Sequence, residues 1–134
     1  MGIHSRTVVD GIEDIDAEAF FQGYVDCAIW ASTAPDGQSL DTLMYGSDDI
    51  TAESLDSMRA DCNDFVEANA VDLSGFDAAR AGHDFWLTRN RHGAGFWDGD
   101  YPQEIGARLT AAAHAYGSSD LYVGDDGFVH VSPI

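Results

Sequence analysis

A chain of 134 residues with 45% hydrophobic and 11% aromatic content is long enough to bury a core without disulfides or a structural metal. Twenty-four Asp and Glu stand against six basic residues, all of them Arg, for a formal net charge of -18; such a field repels nucleic-acid phosphates and anionic membranes and attracts basic protein surfaces. No run of about eighteen apolar residues is present to span a bilayer, and residues 1–10 lack the apolar stretch of a secretory leader, so the expected location is the cytoplasm.

The acids are unevenly spread: residues 1–75 hold 16 acids and two Arg, whereas residues 76–134 hold eight acids and four Arg. Cys27 and Cys62 show no CxxC spacing and no accompanying pair of His. They read as buried reduced thiols, with no metal and no cofactor expected.

Residues 1–13 read as a tail or edge strand, with Thr7-Val8-Val9 too short to classify. Asp16 is placed to cap a helix through about Ala31, and Phe20, Tyr24, Cys27, Ala28 and Ala31 fall on one stripe that Phe21, Val25 and Ile29 widen. Residues 32–49 form a polar connection with a turn at Ala34-Pro35-Asp36-Gly37. Leu40, Leu43, Met44 and Tyr45 are expected to anchor that loop.

A second helix opens at Thr51, with Ile50 and Leu55 at hydrophobic-staple spacing. Leu55, Met58, Cys62, Phe65 and Asn69 form its inner stripe. A short helix is expected after Ser74, stopping at Gly82.

From His83 the composition turns to strand formers. Asp84-Phe85-Trp86-Leu87-Thr88-Arg89-Asn90, the turn Arg91-His92-Gly93 and Ala94-Gly95-Phe96-Trp97-Asp98 read as a hairpin. Pro102 and Glu104 open a further helix with an apolar face of Ile105, Leu109, Ala112, Ala113 and Tyr116, stopped at Gly117. Leu121-Tyr122-Val123, Gly124-Asp125-Asp126-Gly127 and Phe128-Val129-His130-Val131 make a second hairpin. The expected fold is a single α+β domain over 1–134: a loose tail 1–13, a mainly helical part 14–81, and two hairpins with a helix over 82–134.

Gly82-His83-Asp84-Phe85-Trp86-Leu87-Thr88-Arg89-Asn90, His92-Gly93-Ala94-Gly95-Phe96-Trp97-Asp98, Leu121-Tyr122-Val123-Gly124-Asp125-Asp126-Gly127 and Ala28-Ile29-Trp30-Ala31-Ser32 together resemble a family of small uncharacterised acidic proteins of tailed bacteriophages and related mobile elements. Arg91 departs from that pattern, in which glycine is common in the turn. The resemblance implies an origin, a phage product acting inside a bacterial host, and no activity.

Three functional readings follow. In the first, acids spaced along helices imitate a phosphate row and occupy the groove of a basic, nucleic-acid-binding host protein of restriction, CRISPR or repair; the candidate residues are Asp48, Asp49, Glu53, Asp56, Asp64 and Glu67. The acids also suit a merely solvated surface or a salt-adapted proteome. In the second, the aromatic hairpin binds a protein partner through Trp86, Arg89, Arg91, His92 and Trp97, with Phe96 and Tyr101 as further anchors.

The third is an enzyme using His83, Asp84, Arg89 and His92, with Asp98 a possible partner of His83. Alternation of side chains along strands separates these groups, and no nucleophile elbow or metal-ligand spacing supports them. The glycines of Arg91-His92-Gly93-Ala94-Gly95 suit a tight turn better than a phosphate loop. Asp36-Gly37, Asp98-Gly99-Asp100 and Asp125-Asp126-Gly127 suit turns better than calcium. Trp30, Trp86 and Trp97 are expected in the core, since base stacking needs a basic groove.

Overall fold

The computed structural model describes residues 8–9, 12–13, 16–92, 94–97 and 101–133. Two-residue strands β1 (Val8–Val9) and β2 (Ile12–Glu13) pair antiparallel. Helix α1 (Ala17–Ala31) begins where the Asp16 carboxylate accepts from the backbone N–H of Glu18 and Ala19, both at 3.1 Å. These bonds satisfy two of the donors that every helix start leaves open. Phe20, Phe21, Tyr24, Val25, Cys27, Ala28 and Ile29 are all buried, so α1 is covered over more than one face.

The connection to α2 (Ala52–Ala68) turns at Gly37, whose φ is +88° and whose N–H bonds to Ala34 at 2.9 Å, and it passes through a 3-10 turn at Ser47–Asp49. Leu40 seats this loop in the core. Met44, expected to help, is 87% exposed at φ +72°. Thr51 caps α2 by accepting from Ser54 N–H at 3.2 Å. A short α3 (Ala70–Leu73) follows.

The first expected hairpin is not formed. Its leading half is helix α4 (Ala78–Arg89), capped by Asp77, which accepts from Arg80 N–H at 2.9 Å. Gly82 does not stop this helix. It lies against α1 so closely that a Cβ would stand 1.9 Å from the Phe20 carbonyl oxygen, and one on Gly23 would stand 2.0 Å from that of Ala79. Glycine on both helices therefore sets the α1–α4 crossing, the most extensive helix pair in the molecule.

After α4, Phe96 N–H bonds to Thr88 Oγ1 at 3.1 Å and Tyr101 Oη–H donates to Asp84 at 2.8 Å, folding the segment back over the helix. Helix α5 (Gln103–His114) ends before Gly117, whose φ is +74°.

Strands β3 (Asp120–Val123) and β4 (Val129–Ser132) form the second expected hairpin, with Leu121 opposite Val131 and Val123 opposite Val129. It docks on the start of α2: Thr51 N–H bonds to the Val129 carbonyl and Val131 N–H to Ser54 Oγ, both at 3.0 Å. The second bond gives the fully buried Ser54 hydroxyl a partner. The architecture is α+β, with five helices among the described residues and two-stranded antiparallel ribbons. Phe20, Tyr24, Phe65, Phe85, Trp86 and Phe96 fill its centre, Phe65 and Phe85 stacking at 4.1 Å.

Candidate functional site

Two regions gather polar side chains. The first is the outer face of α2. At about 100° per residue, Glu53, Asp56, Asp64 and Glu67 fall within about 80° of arc, and they span about 21 Å of axis. All four are exposed, while Ser54, Met58, Cys62 and Phe65 occupy the opposite, buried face. Asp48 is exposed just before the helix, and Asp49 is half-buried, accepting from Gly46 N–H at 2.8 Å.

The ion pairs of the described arginines go elsewhere: Arg59 to Glu18 at 2.8 Å, Arg80 to Asp84 at 3.6 Å, Arg89 to Asp61 at 2.8 Å and Arg108 to Asp72 at 2.7 Å. Among the described residues no cation pairs with Asp48, Asp49, Glu53, Asp56, Asp64 or Glu67. Among the described residues the one side-chain donor on the ridge is Tyr116, whose hydroxyl bonds Asp64. Burial, and then that carboxylate, push the Tyr116 phenol above its ordinary range. The arginine contacts leave their mark on their own partners: Arg59 holds Glu18, and Arg108 holds Asp72, below the usual carboxylate range.

The second region is a cleft of 410 Å³ between α1 and α4, lined in part by Asp26, Arg80, His83, Asp84 and Leu87. Asp84 forms its floor at 1% exposure, held by Tyr101 and Arg80, with Oδ1 4.0 Å from His83 Nδ1. His83 Nδ1 is itself enclosed and has no hydrogen-bond partner.

These positions correct the readings built on a hairpin. Trp86 lies in the core at 2% exposure, edge-on to Tyr24, because α4 turns it inward. Arg89, at 4% exposure, donates to Tyr24 Oη, Asp61 and the carbonyls of Gly117 and Tyr116. Burial alone would lower its pKa; the neighbouring Tyr24 and Asp61 outweigh that and raise it. Phe96 and Tyr101 are also buried.

Of the expected hairpin surface only Arg91, His92 and Trp97 are exposed. The four groups of the enzymatic reading do not converge. His83 and Asp84 share the α1–α4 cleft, Arg89 bonds the Tyr116 and Gly117 carbonyls that follow α5, and His92 lines a separate 540 Å³ hollow beside Asp120 and Tyr122. Asp98, with Gly99 and Asp100, lies outside the described residues, as does Gly93.

Trp30, expected in the core, is 60% exposed and leans on His83 with ring centroids 6.2 Å apart. Sequence reasoning passed over Asp26 and Arg80 as site residues and assigned Trp30 to the core. The usable signal was the spacing of Asp26 and Trp30, four residues apart and so neighbours on one helix face.

The thiols are where the stripes put them. Burial pushes Cys27 up to about 12 and Cys62 well above its ordinary value. Among the described residues no three His, Cys, Asp or Glu are grouped to hold a metal ion, and no helix is long and apolar enough to cross a membrane. Comparison of the chain with protein-family models, curated proteins and solved structures gives no match.

Proposed function

We propose that this protein works by binding, presenting the outer face of α2 to a basic groove on another protein that otherwise holds nucleic acid. The observation that carries this reading is the ridge of Glu53, Asp56, Asp64 and Glu67, exposed on one side of a single helix with no cation paired to it among the described residues. A solvating surface needs no such alignment, and the arginines that could neutralise the ridge are paired with other carboxylates. Four charges over about 21 Å, continued by Asp48 and Asp49, are sparser than the one phosphate per about 3.4 Å of a DNA strand, yet follow a comparable line. On the origin that the sequence resemblance implies, the partner is a host restriction, CRISPR or repair protein.

The experiment is capture from host lysate at low salt on immobilised protein, beside a variant carrying Glu53→Gln, Asp56→Asn and Glu67→Gln. The expected result is a nucleic-acid-binding protein that duplex DNA displaces, that salt elutes, and that the variant fails to hold. Capture that is equal on both proteins, or indifferent to DNA, would overturn the reading.

A further inference from the structure

We infer that the α1–α4 cleft is a binding site for a small organic cation, an amine or quaternary ammonium with a compact apolar body. Among the described residues, two carboxylates, Asp26 and Asp84, and one guanidinium, Arg80, line this cleft. Arg80 and Asp84 are already an i,i+4 pair at 3.6 Å, which places the uncompensated charge on Asp26. That carboxylate is exposed on α1, and among the described residues nothing pairs with it.

One turn further along the same face stands Trp30. It lies against the His83 ring at a tilt of 32°, yet keeps 60% of its surface open. Asp26 lines the cleft, and Trp30, which does not line it, contacts the lining residue His83 one turn further on; for an organic cation, Coulomb attraction to the carboxylate supplies one part of recognition and the exposed indole the other. Leu87 and Ala94 in the wall offer apolar contact for the body of the ligand. The volume of 410 Å³ suits a molecule of a few heavy atoms.

The overall charge of -18 raises the local concentration of any cation and disfavours a small anion at the same place. The close approach at Gly23 and Gly82 fixes the two helices against each other, so both walls exist before the ligand arrives. This site is separate from the α2 ridge and does not depend on it.

The test titrates the whole protein with choline and, in parallel, with its neutral isostere 3,3-dimethylbutan-1-ol. Binding is followed on the Trp30 indole N–H resonance, identified by its loss in Trp30→Phe. Choline is expected to shift that resonance saturably and the isostere to leave it in place. Asp26→Asn should weaken choline at least tenfold, whereas Glu53→Gln with Asp56→Asn should leave it unchanged. No saturable shift, an equal response to the isostere, or full binding by Asp26→Asn would each overturn the assignment. Because the ridge variant keeps the cleft, failure here and failure of the α2 reading are told apart.

Discussion

Gly82 carries more of this structure than its type suggests. A methyl group there would meet the Phe20 carbonyl at 1.9 Å, a backbone atom that moves only if a whole helix moves. Gly82→Ala is therefore expected to destabilise by about 3 kcal/mol or more, read as a lower urea midpoint at unchanged slope. An unaltered midpoint would mean that the crossing is looser than described. Arg89 is the second such residue. Arg89→Ala strands the Tyr24 hydroxyl and two carbonyls and frees Asp61, which is 41% exposed and can rehydrate; about 2 kcal/mol should be lost, the cost of leaving buried acceptors unsatisfied.

The cysteines supply a pH prediction. Cys27 has an ordinary thiol value near 9.0 and is raised to about 12 by burial and by Asp84. Above about pH 9 the unfolded chain gives up a proton that the folded chain keeps. Stability should be intact below pH 9 and fall as pH rises from there toward 12. Thiol titration at neutral pH should find both groups unreactive until denaturant is added, and rapid labelling of the native protein would contradict their burial. The sequence already showed these positions on inner helical stripes. It could not show Arg89 as a buried clamp, because its partners lie 28 and 65 residues away.

At the scale of elements, boundaries set by local chemistry were legible. Asp16 and Thr51 cap α1 and α2 where expected, since a cap depends only on the three residues that follow it. Thr51→Ala should cost about 1 kcal/mol, measurable by thermal unfolding, and Thr51→Ser should restore most of it. The part of α4 from Asp84 onward was read as a strand for a physical reason. Ala81, Gly82 and every residue from Asp84 to Arg89 is buried except that His83 is half-buried, so no polar face marks the helical period. What remains is a run of aromatic and β-branched residues that favours strand. The Asp77 cap at its start came to light only in the structure. Once α4 is a helix, Trp86 points inward, and the hairpin surface built on it is lost with the hairpin.

For the whole molecule, a net charge of -18 sets self-repulsion against a modest core. Adding salt from about 0.01 to 0.5 M should raise the melting temperature as that repulsion is screened; a fall would mean that specific ion pairs outweigh it. Acid acts through other groups. Glu18 and Asp72 sit below the ordinary carboxylate range because Arg59 and Arg108 bond them. The stability they contribute is present above the unfolded carboxylate pKa near 4 and is lost as pH falls through their lower folded values. The same repulsion is relieved as carboxylates protonate, so a shallow stability maximum below neutrality is expected before acid unfolding.

Composition, caps and apolar stripes were enough to specify an acidic α+β domain, three of its helix starts, its C-terminal hairpin and its buried thiols, because each depends on residues close in the chain. The tertiary structure alone decided the rest. It turned the central aromatic segment into a buried helix, paired four arginines with acids outside the α2 ridge, and set Asp26 and Trp30 beside His83. Those outcomes depend on which helix faces meet, and at the α1–α4 crossing that was settled by two glycines whose missing side chains let the backbones touch.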